Sequence, residues 1–499
     1  MEITEKHGYF TIINKLLGAL KRKFFTNLIL LLTINLLVKP FWLLGIDRQV
    51  QIVTGDNYGL YNSLLGLSLT FNILLDFGIT NYNNRNIARY NHLLPKHLGN
   101  IIGLKLILSI VYAIIVFGWG AIRGYNNVEF HILLFLVINQ FLLQFILYLR
   151  SNIQALHLFT IDSLVSVLDR VFMIVLCGLL LYTNFTKGTF KIEWFVYIQT
   201  ISYILSALII FFIVLRKAGK IKIRFNRGFS LVFLKKTYPY GILVLLMAFY
   251  NRFDVVLIKE LLPDEIANRQ SGLYAHGFRL LDAVSMFGVL FAGMLLPIFS
   301  RMIKLKQSIG EMVSFAFTLI IFISVTTAFS SFYYQTEIMQ WMKYDYVSES
   351  ASIFATLMFC FIPITTTYIF GTLLTANGSI RELNIMAAVG MVMNVTLNIF
   401  LIPKYQALGA AYVSLFTQLV TAGAQVFIAV KIFHLKPRWK TILRVALYAV
   451  LVLILGNFSR MLDSKVLGFV LLLITSSFAA FFIKLIDLRK LIQLVLNRD

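Results

Sequence analysis

The sequence predicts an all-α polytopic membrane protein with about 14 transmembrane helices. Hydrophobic residues make up 59% of the 499 positions, charged residues make up 13%, and the mean hydropathy is +0.82. A soluble protein of this length would carry more charge and fewer phenylalanines than the 45 present here. Apolar runs of about 20 residues, the length that spans ~30 Å of hydrocarbon, recur along the whole chain. Strands of a membrane barrel are short and alternate in polarity, so these continuous runs exclude that class.

Each apolar run is interpreted as one membrane span. No connection between spans exceeds about two dozen residues, so a folded soluble domain does not fit between them. The predicted spans are 25–46, 58–79, 98–121, 130–149, 162–182, 194–215, 238–259, 272–299, 312–333, 350–374, 381–402, 408–433, 440–458 and 465–485.

The first 24 residues are polar and basic and carry no pattern of a cleavable signal. Apolar residues at Ile12, Ile13, Leu16, Leu17 and Leu20 share one helical face. This spacing predicts an amphipathic helix that lies on the membrane surface.

The connections predict the orientation of the chain. With the N-terminus inside, the inner segments and the span ends beside them hold 29 Lys and Arg, and the outer loops with their adjoining span ends hold 10. Because cytoplasmic segments accumulate positive charge, both termini are predicted to be cytoplasmic. The largest basic cluster, from Arg216 to Lys236, lies between spans six and seven, where it acts as a topology determinant or attracts anionic lipid.

A weak internal repeat predicts two similar halves. The triplet Gly59-Leu60-Tyr61 in span two recurs as Gly272-Leu273-Tyr274 in span eight, and the same offset places Lys39 opposite Arg252. The predicted domains are a cytoplasmic amphipathic segment 1–24, an N-lobe 25–215, a basic cytoplasmic linker 216–237, a C-lobe 238–434, two further helices 435–485 and a cytoplasmic tail 486–499.

Charged residues inside the spans are the main candidates for function, because an unpaired charge at bilayer depth costs about 2.5–3.5 kcal/mol. Arg279 and Asp282 are three residues apart and can pair on one helix. Lys105 is close to a span end and is expected to extend towards the interface, as is Arg444. The charged set is Lys39, Lys105, Arg170, Arg252, Arg279, Arg444, Asp76, Asp162, Asp169, Asp254 and Asp282.

Two interpretations of these charges remain open. They form structural ion pairs between helices, or they line a hydrophilic cavity. In the cavity interpretation Lys39, Arg252 and Arg279, with Arg170 and Asn251, bind an anionic group, since arginine donates paired hydrogen bonds to phosphate. The carboxylates assigned to ion coupling or to the cavity are Asp76, Asp169, Asp254 and Asp282. Further polar side chains that suit sugar hydroxyls or interhelical hydrogen bonds are Asn139, Gln140, Gln144, Gln199, Ser202, Thr365, Thr366, Thr367, Asn394 and Asn398.

The sequence offers no pattern for catalysis. Cys177 and Cys360 lie inside apolar runs and predict neither a disulfide nor a metal site. No nucleophile, metal or nucleotide motif is present, so we expect no enzyme activity and no cofactor. The net charge of +23 follows the membrane topology and does not indicate nucleic-acid binding.

Three stretches resemble one family of transporters. They are DNYGLYNSLLGLSLTFNILLDFGITNYNNRNIAR, the segment from NRFDVVLIKE to MLLPIFSRM, and NVTLNIFLIPKYQALGAAYVSLFTQ, whose N-x-x-L-N…IP…GAA pattern is the most specific. Together they resemble the Wzx-type O-antigen and capsule-unit flippases, which are bacterial polysaccharide transporters of the multidrug/oligosaccharidyl-lipid/polysaccharide (MOP) superfamily.

The resemblance implies a MATE/MOP-like fold of two six-helix lobes around a central cavity, plus two C-terminal helices. It implies a bacterial inner-membrane flippase that carries an undecaprenyl-diphosphate-linked oligosaccharide to the outer leaflet by alternating access. Lys39, Arg252 and Arg279 stand where cavity cations are expected. A monomer, coupling to H⁺ or Na⁺, and contact with polysaccharide polymerase machinery are further expectations.

Three other transport or enzyme functions remain as alternatives. A cation-coupled multidrug exporter of the same superfamily would favour a more acidic cavity than these residues provide. A lipid II flippase shares the fold and the substrate chemistry. A membrane glycan polymerase would carry a long outer loop, which this sequence lacks. A purely structural scaffold leaves the buried charges without purpose.

Overall fold

The computed structural model describes residues 25–182, 190–219, 221, 226–342, 346–435 and 439–485. The predicted amphipathic segment 1–24, the tail 486–499 and part of the basic linker lie outside these ranges. The described residues are almost entirely helical, and no strand occurs among them.

The helices are numbered in chain order. They are α1 (Phe25–Thr54, with a π-helical segment Trp42–Asp47), α2 (Asp56–Thr70), α3 (Ile79–Arg89), α4 (Leu94–Ile122), α5 (Asn127–Ala155), α6 (Phe159–Val165), α7 (Leu168–Tyr182), α8 (Ile192–Ala218), α9 (Arg227–Arg252), α10 (Asp254–Leu261), α11 (Asp264–Lys304), α12 (Gly310–Tyr333), α13 (Gln335–Trp341), α14 (Val347–Phe359), α15 (Phe361–Asn377), α16 (Ile380–Phe433), α17 (Trp439–Arg460) and α18 (Lys465–Phe482).

The number of membrane spans agrees with the predicted fourteen. Twelve helices in the described part are long and apolar enough to cross a bilayer, and a pair bent by 52°, Ser63–Thr70 and Asn72–Arg89, adds one more. Helix α16 has 54 residues, more than twice the roughly 20 that one crossing needs. It contains Pro403 and, at Gln406, a non-helical backbone with φ 54°. This interruption separates two spans within α16, so the all-α polytopic prediction is confirmed.

The described chain divides into two compact units, and each is described by itself. The N-terminal unit is Thr26–Ile242. The C-terminal unit comprises Leu243–Asp499 with Met1–Phe25, as far as these ranges are described. The boundary falls inside α9.

In the N-terminal unit, α5 packs against α2, α3, α4, α6 and α8. A capping box starts this central helix: the Asn126 side chain accepts hydrogen bonds from the backbone of Val128 and Glu129, and Glu129 accepts one from Asn126 N at 2.7 Å. Gly78 precedes α3 with φ 75°, and a Cβ there would lie 2.5 Å from Gly241 N. Only glycine fits both that conformation and that close approach.

In the C-terminal unit, α11 packs against α10, α14, α15 and α16, while α17 and α18 pack on each other and on α12. Helix α14 ends at Phe359 and α15 begins at Phe361. The interruption lies just before Pro363, which cannot donate a backbone hydrogen bond to the preceding turn.

Candidate functional site

The polar stretch Asn251–Asp254 lies where α9 passes into α10. Phe253 separates the two helices, but its N–H still donates to Phe249 O at 2.9 Å, and Leu257 N donates to Phe253 O at 3.0 Å. The backbone therefore continues almost helically through the interruption. Asn251, Arg252 and Asp254 then project in different directions from successive helical positions.

Arg252 forms an ion pair with Asp282 of α11. Arg252 Nη2 lies 3.1 Å from Asp282 Oδ2, and the two side chains are 68% and 46% exposed. The Arg252 guanidinium also lies 6.0 Å from the centre of the Phe278 ring. The sequence permitted a pair between Asp282 and Arg279 on the same helix, but the pair that Asp282 makes in the structure is with Arg252. Spacing of three residues permits such a pair but does not require it, and an arginine from the neighbouring helix reaches Asp282 instead.

These residues open onto a cavity of about 150 Å³ inside the C-terminal unit. Gln418 Nε2 donates a short hydrogen bond to Asn251 Oδ1 at its wall. The hydroxyls of Ser285 and Thr367 are buried and have no hydrogen-bond partner among the described residues. The lining residues are Met247, Tyr250, Asn251, Arg252, Phe278, Leu281, Asp282, Ser285, Cys360, Ile364, Thr367, Tyr368, Ser414 and Gln418.

Asp254, two residues after the cavity-lining Arg252, is fully buried. Tyr274 Oη donates to Asp254 Oδ2 at 2.6 Å, and Asn398 Nδ2 donates to Asp254 Oδ1 at 2.8 Å. No ion pair to Asp254 occurs in the described part of the chain. A buried carboxylate with only neutral donors is costly to ionise, so Asp254 is suited to take up a proton or a small cation.

The N-terminal unit holds a second group of predicted residues. Arg170 Nε lies 3.4 Å from Asp169 Oδ2, and its guanidinium lies 5.7 Å from the centre of the Trp42 ring. Lys39 is half-buried and interacts electrostatically with Asp169 and Arg170. The structure thus brings three of the predicted residues together in this unit.

Asp76 and Lys105 form a separate ion pair in the same unit. Lys105 Nζ lies 3.0 Å from Asp76 Oδ1 and donates to Leu75 O at 3.1 Å. Lys105 is 2% exposed, so the expectation that it extends towards the interface is wrong. The break between the two bent helices brings Asp76 within its reach.

One residue of the predicted site, Arg279, falls outside these groups, and several polar residues were not predicted. Arg279 is exposed on α11 and does not line the cavity. Sequence reasoning identified Asn398 as polar but not as a partner of Asp254, and it omitted Tyr274, Tyr368 and Gln418. Asp47 was also missed: Tyr58 Oη donates to Asp47 Oδ2 at 2.9 Å. Asp47 was not predicted because it lies one residue beyond the predicted span 25–46, in the π-helical part of α1.

The fold matches solved transporters over most of the chain. The MATE transporter VcmN of Vibrio cholerae superposes with a TM-score of 0.66 at 15% identity, covering 84% of this chain and 98% of that one. A MOP superfamily transporter from Pyrococcus furiosus gives 0.62 at 13% identity, covering 83% and 96%. The lipid II flippase MurJ in an inward closed conformation gives 0.57 at 14% identity, covering 93% and 100%.

These likenesses show a MATE/MOP-like fold. A comparison with curated proteins finds no significant match. The sequence model of one family, described as polysaccharide biosynthesis protein, matches residues 24–303, which is more than half of the chain. With twelve or more helices fit to cross a membrane in its described part, the chain is a multi-pass membrane protein and belongs to the polysaccharide biosynthesis protein family.

Proposed function

We propose that this protein is a flippase that carries an undecaprenyl-diphosphate-linked oligosaccharide from the cytoplasmic to the outer leaflet of a bacterial inner membrane. The family match and the MOP-type fold support a flippase of lipid-linked glycans. Alternating access is the mode of transport that we infer for it. The repeat unit of an O-antigen, a capsule or an exopolysaccharide is the substrate class.

The observation that carries the substrate assignment is the cavity that Arg252 lines. Asp282 accepts from one Nη of Arg252, and the exposed guanidinium keeps further N–H donors for an anion. Arginine binds phosphate oxygens through parallel, charge-assisted hydrogen bonds. The unpartnered hydroxyls of Ser285 and Thr367 supply neutral hydrogen-bonding groups beside it. This combination suits a phosphate group and sugar hydroxyls better than an organic cation.

Lys39 and Arg170 supply positive charge in the N-terminal unit. We propose that they meet the same class of anion at another stage of transport, with Asp169 holding Arg170 in place. Arg279, being exposed, is a further candidate for the diphosphate.

We propose Asp254 as the coupling carboxylate. It is fully buried, it is held by Tyr274 and Asn398, and it needs a proton or Na⁺ to balance its charge. Uptake and release of that ion during the cycle would tie transport to the ion gradient. The paired carboxylates Asp76, Asp169 and Asp282 already have cationic partners, which makes them weaker candidates for coupling.

The distribution of Lys and Arg supports cytoplasmic termini and the inner membrane as the location. A monomer that delivers its product to polysaccharide polymerase machinery is the arrangement we propose.

The test is the leaflet on which lipid-linked glycan collects in a deletion strain. We expect complete diphosphate-linked repeat units on the cytoplasmic leaflet, loss of surface glycan, and rescue by the wild-type gene. Single units that reach the outer face without extension would instead indicate a polymerase. Unchanged surface glycan with raised drug sensitivity would indicate a multidrug exporter.

Likeness to MurJ favours lipid II transport as a second candidate. The two candidate functions are distinguished by which lipid-linked precursor accumulates in the deletion strain. Accumulated peptidoglycan precursor, with normal surface glycan, would assign the protein to lipid II.

A further inference from the structure

A second cavity, of about 590 Å³, lies in the N-terminal unit and has no part in the proposed transport site. It is bounded by α3, the turn that follows it, the first residues of α4 and the start of α9. The lining residues are Tyr82, Asn86, Tyr90, Leu93, Lys96, His97, Asn226, Gly228, Phe229, Val232, Phe233 and Lys236.

Aromatic contacts fix the walls of this cavity. Tyr82 and Phe233 meet edge to face with ring centres 5.3 Å apart. His97 lies 5.8 Å from Phe229 and 5.6 Å from Phe233, and those two phenylalanines stack at 5.4 Å. Edge-to-face and offset contacts at these distances stabilise a defined arrangement, so the cavity is preformed.

Its charge is strictly positive. Lys96 and Lys236 line it, and Arg85 of α3 donates to Tyr240 Oη at 3.2 Å beside it. Residues 77–100 and 216–242 contain eleven Lys and Arg and no Asp or Glu. The nearest acid along the chain, Asp76, is already paired with Lys105. A basic cavity without local counter-charge attracts an anion.

His97 points to the same kind of ligand. Its side chain is 7% exposed, it lines the cavity, and its Nδ1 has no hydrogen-bond partner among the described residues. A buried imidazole nitrogen without a partner costs free energy unless a ligand or water completes it. A phosphate group held by two lysines places oxygen atoms and hydroxyls near such a nitrogen.

The surroundings indicate that the phosphate belongs to a lipid. The cavity lies where α4 and α9 begin, and both helices are long and apolar enough to cross a membrane. Leu231 and Val232 stand beside it on α9 and are 59% and 57% exposed. Exposed aliphatic side chains at the start of a membrane span offer contact to acyl chains, next to a basic pocket for the headgroup.

We propose that this cavity is a binding site for the headgroup of an anionic phospholipid, with Lys96 and Lys236 holding its phosphate. The site is distinct from the cavity at Arg252. Its lipid holds the start of α9 against α3 and α4.

The experiment counts lipids bound to purified protein by native mass spectrometry, with phosphatidylglycerol and phosphatidylcholine as probes. We expect the wild type to retain one phosphatidylglycerol in preference to phosphatidylcholine. The double variant K96Q/K236Q should bind phosphatidylglycerol about thirtyfold more weakly, since each lysine near a phosphate contributes about one factor of five. The matched control R227Q/K235Q removes two charges from α9 outside the cavity, and its affinity should stay within about threefold of wild type.

A second variant, His97→Phe, keeps the aromatic contacts but removes the unpartnered nitrogen, and it should also weaken binding. Equal losses in both double variants, or equal binding of the two lipids by the wild type, would show general surface attraction and overturn the site. Binding of undecaprenyl diphosphate in preference to phosphatidylglycerol, with that preference lost in K96Q/K236Q, would assign the cavity to the transport substrate and overturn the phospholipid. This experiment measures lipid binding and does not require transport. A negative result would therefore contradict the phospholipid site without contradicting the flippase proposal.

Discussion

Arg252 and Asp282 join α9 and α11 across 3.1 Å while most of the Arg252 side chain stays exposed. An ion pair this open contributes about 0–1 kcal/mol to stability. Its value to the protein therefore lies in holding the guanidinium at the cavity rather than in holding the helices together.

We expect Arg252→Gln to leave the unfolding temperature nearly unchanged and to lower glycan translocation at least tenfold. Losing a charge-assisted contact to phosphate removes about 1.5–3 kcal/mol of binding, which corresponds to tenfold or more. Surface glycan and detergent-solubilised thermal unfolding measure the two effects. The matched control is Arg269→Gln, which breaks a similarly exposed pair with Glu349 at 3.5 Å. Equal translocation in both variants would remove Arg252 from the substrate site.

Asp254→Asn keeps the size of the side chain and removes its charge. We expect a folded protein that is at least as stable as the wild type, because a buried charge is no longer present, and transport that no longer responds to the ion gradient. Transport into vesicles with imposed H⁺ or Na⁺ gradients measures this response. Tyr274→Phe serves as control: it removes one donor, costs about 1–3 kcal/mol of stability and keeps the carboxylate. Ion dependence that persists in Asp254→Asn rules out this residue as the coupling group.

Lys105→Met removes the buried half of the ion pair and leaves Asp76, which is 21% exposed, without its cation. Breaking a buried pair in this way costs about 3–5 kcal/mol, so we expect poor folding and a lower unfolding temperature. The double variant D76N/K105M removes both charges and should recover much of the loss. A double variant as unstable as the single one would mean that Lys105 stabilises the fold through Leu75 O and packing instead.

Gly288→Ala tests the packing behind the cavity. A Cβ at Gly288 would lie 2.1 Å from the ring of Tyr368, a cavity-lining residue. We expect a loss of about 1–3 kcal/mol from overpacking, together with reduced translocation. Gly272→Ala on the same helix meets nothing within 4 Å and should be neutral or slightly stabilising. Thermal unfolding of the two variants compares them directly, and similar values would show that Tyr368 moves aside without cost.

The fold could be predicted because each membrane span corresponds to a continuous run of apolar residues in the sequence. The interruption between α14 and α15 also followed from chemistry local to one residue, Pro363. The break at Phe71 between the bent helices did not, since no proline marks it and glycine follows only at Gly78. By contrast, hydropathy alone separates the two spans of α16, and the non-helical backbone at Gln406 lies between them.

Partners of the charged residues were harder to predict, because they depend on helix neighbours rather than on spacing. Asp282 has Arg279 three residues away and still pairs with Arg252 from another helix. Lys105 lies near a predicted span end yet is buried against Asp76. In the N-x-x-L-N pattern the first and last residues, Asn394 and Asn398, hydrogen-bond each other, and Asn398 also binds Asp254. The family pattern thus contains Asn398, but its partner Asp254 lies on another helix and cannot be found from the pattern itself.

The turn at Gln406 limits where reporters can be inserted in experiments that map which helix ends face which side of the membrane. Ala407 N donates to the side chain of Gln270 at 3.2 Å, and Gln270 in turn donates to Glu349 at 3.1 Å. A Cβ at Gly409 would lie 2.5 Å from Leu401 O. The two halves of α16 are therefore too closely packed at this turn to admit a larger side chain. An epitope or protease site inserted at this turn would disrupt three helices at once. Reporter insertions belong instead in the segments between α11 and α12 or between α17 and α18, where the chain leaves the helix.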